Sequence, residues 1–195
     1  MILVLFDFDG TITFKDSFLG FIRFSVGKIK YFKGFIYLIP ILILYKLKFI
    51  SGNKAKTIVF SYFFKGQDYN IFKSIADNYS LKEIDKIIRT SALNKINWHK
   101  KNNHLVVIVS ASLNCYLEKW CKKNRLGLIS TEIEIIDSKV TGKFKTRNCS
   151  GIEKINRIKE KYDLSKFEYI YAYGNTKDDA DMLRLANKTF YRYFK

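Results

Sequence analysis

Continuous apolar runs and helical spacings alternate along the chain. Ile2–Phe6 (ILVLF) is unbroken by polar residues and stops abruptly at Asp7. That pattern predicts a strand buried on both faces, as in a parallel sheet. His104–Ser112 (HLVVIVSAS) and Phe167–Gly174 (FEYIYAYG) repeat it, the first ending in small hydroxyl residues and the second in the acidic loop GNTKDDADML. Ligands of open parallel sheets sit beyond the carboxyl ends of the strands, so the three endings are expected to meet in one crevice. Between the strands, Ser80–Ile96 predicts one helix opened by a Ser-x-x-Glu capping box. Residues 151–162 (GIEKINRIKEKY) predict a second, with Ile152, Ile155 and Ile158 on one face and Lys154, Arg157 and Lys161 roughly on the other. Thr131–Thr146 alternates about Asp137-Ser138 and predicts a hairpin.

The stretch between the first two strands is far longer than the dozen or so residues of a crossover helix. Residues 15–103 therefore read as an inserted helical cap, with the core in 1–14 and 104–195. The fold class expected is α/β, a Rossmann-like three-layer core with a parallel sheet plus this α-helical insertion. Within the insertion Phe35–Tyr45 (FIYLIPILILY) carries no charge. As a helix it spans roughly half of a ~30 Å hydrocarbon layer, too little for a simple membrane crossing, and Pro40 would kink it. Two readings stand: a buried cap helix, or an interfacial helix resting on anionic lipid. The terminal FYRYFK could pack on the cap, reach lipid or fray.

Charge sharpens the picture. Lysine and arginine number 35 against 18 acids, a net +17. Residues 15–66 hold ten of those cations and one acid, Asp16. Such a field favours phosphorylated substrates, nucleic acid or acidic membranes. The lysines are interleaved with apolar runs and match no nucleic-acid motif, which argues against nucleic acid. Cys115, Cys121 and Cys149 form no CxxC pair and only His99 and His104 are present, so a zinc site is not expected. The odd cysteine count and the absence of a secretory leader suggest a reduced cytoplasmic setting, with the inner face of the membrane as the site of any association.

The densest chemistry is DFDGT. Asp7 and Asp9 lie on the same side of an extended chain, and Gly10 permits a sharp turn just after them. Two carboxylates so close need a cation to stay ionised together. Hard oxygen ligands suit Mg²⁺. One carboxylate can then attack phosphorus while its neighbour handles protons.

Together these residues resemble the haloacid dehalogenase (HAD) superfamily of phosphohydrolases, in four motifs spread over nearly the whole chain: DFDGT, VIVSAS, Lys154 within GIEKINRI, and GNTKDDADML. The insertion between the first two motifs is similar to that of the phosphoserine phosphatase-like subgroup. TGKFKTRNCSGIEK, Trp120-Cys121 and YAYGN further resemble a bacterial branch of phosphatidylglycerophosphatase C-like proteins, whose substrate is a lipid phosphate. The resemblance implies that Asp7 attacks the phosphate, forming an aspartyl-phosphate, and that Asp9 protonates the leaving oxygen and later activates water. It implies phosphoryl binding by Ser110, Lys154 and backbone N–H groups near Asp9 and Ala111. It implies Mg²⁺ held by Asp7, the carbonyl of Asp9 and the acidic loop. In that loop Asn175 stands in place of the usual first acid, Asp179 matches the second, and Asp178 is a substitute ligand. Asp181 reads as solvated and favourable to a helix dipole. Asp16 is expected either to contact substrate or to cap the helix starting near Ser17. Lys143 and Lys145 read as a solvated strand face, and Arg147 as that or as part of the entrance.

Overall fold

The computed structural model describes residues 1–194 of the 195. A parallel sheet in the order β3-β2-β1-β6-β7 forms the centre. Its strands are β1 (Ile2–Phe6), β2 (Leu105–Leu113), β3 (Gly127–Thr131), β6 (Tyr169–Gly174) and β7 (Lys188–Tyr191). Phe6 pairs with Ile108 on one side and Tyr173 on the other, so β1, β2 and β6 reach their carboxyl ends side by side, as expected. Alternate residues of β1 face opposite layers. Leu3 and Leu5 pack with Val107, Ile158 and Met182, whereas Val4 and Phe6 pack with Ile108, Trp120 and Tyr173.

Five helices fill the crossover from β1 to β2: α1 (Ser17–Tyr37), α2 (Ile39–Lys46), α3 (Gly52–Phe64), α4 (Tyr69–Lys82) and α5 (Thr90–Lys101). Helix α6 (Asn114–Lys123) follows β2, while α7 (Ile152–Lys161) and α8 (Ala180–Arg184) flank β6. The apolar core runs unbroken from the sheet into the crossover helices, where Phe21 of α1 lies 4.9 Å, centroid to centroid, from Tyr116 of α6. The hairpin β4 (Ile133–Ile136) and β5 (Lys139–Phe144) turns through Asp137 and Ser138, both at positive φ, the two-residue turn that matches strand twist. It grips the link between α3 and α4: Gly66 N donates to Val140 O at 2.7 Å and Tyr69 N to Ser138 O at 2.8 Å.

Two local expectations are corrected. Residues 80–96 are not one helix: α4 ends at Lys82, a short turn covers Ile84–Ile87, and α5 begins at Thr90. The break arises because this backbone pairs with the loop after β1: Phe14 N donates to Ile87 O and Arg89 N to Ile12 O. Ser80 opens no helix; its hydroxyl accepts from Trp120 N at 2.9 Å. On α7 the buried pair is Lys154 and Ile158, while Ile152 is 62% exposed. Of the three fates open to the C-terminal aromatics, packing is the one observed: β7 pairs along β6, Phe194 stacks on Tyr173 and Phe6, and Tyr193 and Phe194 line a cavity with Ser91, Asn94, Lys95 and Trp98 of α5; Lys195 lies outside the described residues. Pro40 stands in the first turn of α2, just after the chain bends at Leu38, where proline costs no hydrogen bond.

Candidate active site

At the carboxyl end of the sheet the loop 7–16 turns back across β2 and β6. Asp7 N is still held in the sheet by Tyr173 O at 2.9 Å, which fixes the first carboxylate. Its Oδ1 accepts from Lys154 Nζ at 2.7 Å and its Oδ2 from Thr11 Oγ1 at 2.9 Å. Lys154 Nζ also reaches Asp179 Oδ1 at 2.6 Å. The lysine is 2% exposed and Asp179 1%, so this is a buried triad of one cation between two anions. Burial opposes the lysine's charge, but the two carboxylates raise its pKa above the ordinary range. The solvated basic helix face is thereby excluded for Lys154.

The two acids respond differently to the shared lysine. Asp7 is pushed up, chiefly by burial, against the pull of Lys154 and with Asp179 adding to the rise. Burial works on Asp179 in the same sense, yet Lys154 and the hydrogen-bond donors of the loop hold it below the usual range. Those donors are Asn175 N at 3.0 Å, Thr176 N at 2.9 Å and Thr176 Oγ1 at 2.9 Å, all on Oδ2. Both oxygens of Asp179 are thus committed to the lysine and to the loop.

Asp9 faces the crossover helices. Its Oδ1 accepts from Ser17 N at 2.7 Å, and its Oδ2 from the hydroxyls of Ser17 and Ser112. Burial, helped by Asp16, raises its pKa to about 6, which suits a group that gives and takes a proton near neutrality. Asp16 itself is the N-cap of α1, accepting from Leu19 N at 2.8 Å. Ser110 is buried, with its Oγ accepting from Ser112 N at 3.0 Å. The Ala111 carbonyl accepts from Thr131 Oγ1 at 2.8 Å and from Lys56 Nζ at 2.5 Å.

Asn175 lies over Gly10, where a Cβ would sit 2.3 Å from its Nδ2; glycine is required there for space as well as for φ +77. Its Oδ1 stands 3.1 Å from Thr11 Oγ1, whose single proton is shared between Asn175 and Asp7. The oxygens of Asp7 and Asn175 therefore lie within one hydroxyl of each other. Among the described residues no three His, Cys, Asp or Glu converge as a ligand cage. A sparse set of hard oxygens is what Mg²⁺ accepts, since it keeps most of its waters and needs only one or two carboxylates; the donors fit that ion. Asp178 is exposed and contributes its carbonyl to Gly151 N, and Asp181 pairs with Arg184 at 2.7 Å.

Lys56, Thr11, Ser17, Ser112 and Asn148 join the site without any sequence pattern that marks them for it. Lys56 is the most consequential. It comes from α3, bridges Ala111 O and Asn148 Oδ1, and has no carboxylate partner among the described residues. Burial lowers its pKa to about 8. The one available signal was its place beside Ala55, Val59 and Phe60 on the apolar face of its helix.

With this geometry in view, the comparisons are direct. The haloacid dehalogenase-like hydrolase family matches residues 4–184, and the chain belongs to it. Protein CicA of Caulobacter vibrioides is 30% identical over all of this chain and 87% of its own length. Among solved structures, a Bordetella pertussis Tohama I protein described as of unknown function superposes with a TM-score of 0.82 at 16% identity, over 96% of this chain and 88% of its own. A substrate-bound phosphoserine phosphatase gives 0.68 at 16% identity, over 97% and 84%. At such identities these structures establish the shared fold.

Proposed function

We propose that this chain is a Mg²⁺-dependent phosphatase that hydrolyses a phosphomonoester through an aspartyl-phosphate on Asp7. The observation that carries the reading is a pair of carboxylates in unlike settings. Asp7 is pinned by Lys154, and Asp9, two residues on, is poised near neutrality. A carboxylate oxygen of Asp7 forms the bond to phosphorus as the ester bond breaks, and Asp9 delivers its proton to the leaving oxygen. Asp9, now ionised, takes a proton from water, which attacks phosphorus and frees Asp7. Ser110, Lys154 and the backbone at Asp9 and Ala111 hold the phosphoryl oxygens. Asp7, the Asp9 carbonyl and Asn175 would hold Mg²⁺ directly, with Asp179 acting through water because its own oxygens are taken. When bound, the ion neutralises charge on the transferring group. A phosphoserine phosphatase among the structural neighbours shares this fold, which is consistent with the reading.

The substrate we favour is a lipid phosphate, taken from an anionic membrane by the cap, residues 15–103. Helix α2 has no buried residue although it reads IPILILYK. Phe32, Ile36, Tyr37, Ile43, Leu47 and Phe49 are each more than half exposed, and no acid occurs between Asp16 and Asp68. An apolar, basic surface of this kind suits the interfacial layer of an anionic bilayer. No described helix is long and apolar enough to cross a membrane. A phosphate-release screen over lipid, sugar and amino-acid phosphates tests the reaction, with Asp7→Asn as control. Flotation with phosphatidylglycerol vesicles tests the surface. Preference for soluble esters with no flotation would replace the lipid by a small substrate such as phosphoserine or a sugar phosphate. No Asp7-dependent release from any ester would leave a non-catalytic anion-binding protein.

A further inference from the structure

Beside the strand-end crevice lies a cavity of about 530 Å³ between α3, β5 and the segment leading into α7. Three cations from separate stretches of chain line it: Lys54 of α3, Lys143 of β5 and Arg147. Among the described residues none of the three forms an ion pair, and the one acid in the wall, Glu153, is already paired with Arg157 at 3.2 Å. By contrast Lys145, two residues on, lines a different cavity and has Glu132 at 3.5 Å. Like charges gathered in a concavity with no counter-ion focus a positive field and are relieved when an anion enters. Hydrogen bonds link the cavity wall to the end of β2. Asn148 in its wall accepts from Lys56 Nζ at 3.3 Å, and the same ammonium reaches Ala111 O beside Ser110. Ile152, whose exposure had no place in a core reading, supplies part of its apolar wall.

We propose that this cavity is a second anion subsite, which receives a phosphodiester or phosphate group carried on the leaving group of the phosphomonoester. The inference rests on the phosphatase reading for its reaction but not for its binding. Arg147 supplies a planar fork suited to two phosphate oxygens, and Lys54 and Lys143 add point charges from either side. The shared chemistry occurs both in soluble bisphosphates and in lipids whose headgroup joins a diester to a terminal monoester. The subsite would therefore select substrates with two anionic centres over plain monoesters from either source.

The test compares esters that differ only in the second anion. Propanediol phosphate is set against the same ester bearing a methyl phosphodiester at its other end, and a short-chain lipid monoester against a lipid carrying both groups. In the unaltered protein kcat/KM should favour the doubly charged member of each pair roughly tenfold, the scale that two or three partly exposed charge contacts reach together. In the Lys54→Gln/Lys143→Gln/Arg147→Gln protein the ratio should fall to near one, and added salt should lower it in the unaltered protein. Preference in the lipid pair alone would assign the source as a headgroup. A ratio near one in the unaltered protein, or a ratio the triple variant keeps, overturns the subsite. Calorimetry with the matching non-hydrolysable phosphonates reads the same ratio without turnover. If hydrolysis is absent but the phosphonate preference stands and is lost in the triple variant, the reaction assignment fails and the subsite survives.

Discussion

Lys154→Met isolates the electrostatic centre of the site. The change keeps an apolar stem of similar length but removes the ammonium that lies 2.7 Å from Asp7 and 2.6 Å from Asp179. Two buried carboxylates are then left facing each other without their counter-ion. Breaking a buried pair in this way costs about 3–5 kcal/mol. For a chain of 195 residues, at ~2–4 °C per kcal/mol, the melting temperature should fall by roughly 10 °C. Lys154→Met/Asp179→Asn should recover about 1–3 kcal/mol of that loss, because one of the stranded charges is gone. The assay is a double-mutant cycle by urea denaturation, with phosphate release measured beside it and expected to drop at least ~100-fold in both lysine variants. A loss below about 1 kcal/mol for Lys154→Met, or effects additive with Asp179→Asn within ~0.5 kcal/mol, would refute the buried triad.

Other outcomes follow from particular contacts. Gly142 sits at φ +84 with Ser61 Oγ 2.6 Å from where a Cβ would lie, so Gly142→Ala should cost about 2–3 kcal/mol in denaturation and loosen the hairpin from α3. His99 is fully buried between Tyr173 Oη at 2.9 Å and His104 Nδ1 at 2.8 Å, and burial lowers its pKa to about 3. Above its unfolded value of about 6.5 both states are neutral. Below it the unfolded chain takes a proton that the folded one refuses, so stability falls between about pH 6.5 and 3, by less than about 1.4 kcal/mol per unit given the solvent beside His104. Urea midpoints across that window should fall less steeply in His99→Gln, and an unchanged slope would remove His99 as the cause. Asn175→Asp should tighten Mg²⁺ several-fold by titration calorimetry, since it adds a second carboxylate beside Asp7; an unchanged affinity would remove Asn175 from the ligands.

Strand ends were the most legible part of the sequence. A fully apolar run that stops at an acid or a serine has few meanings in a parallel sheet, and the endings of β1, β2 and β6 do share one crevice. The hairpin was equally plain, because Asp137 and Ser138 suit the positive φ its turn needs. Tertiary pairing was not visible. The Ser80–Ile96 pattern has good helical spacing, yet Ile87 and Arg89 bond to the loop after β1, and no local window reports that partner. Strands β3 and β7 and helix α6 went unread for a similar reason: their short apolar stretches gain meaning only beside the sheet. On α7 periodicity alone placed Ile152 inside and Lys154 outside. The buried acids Asp7 and Asp179 reverse that choice, and only the motif resemblance pointed to it. Lys56 carried no signal beyond its helix face, because what gives it a role is a carbonyl 55 positions away at Ala111.

The central claim is that Asp7 carries the phosphoryl group. Acid-quenched mixing of the protein with Mg²⁺ and its best phosphomonoester, followed by peptide mass analysis, measures this directly. The account predicts a peptide containing Asp7 heavier by one phosphoryl group, released by hydroxylamine and absent from Asp7→Asn, which should also show no turnover. Phosphate release at unaltered rate from the Asp7→Asn protein would contradict it.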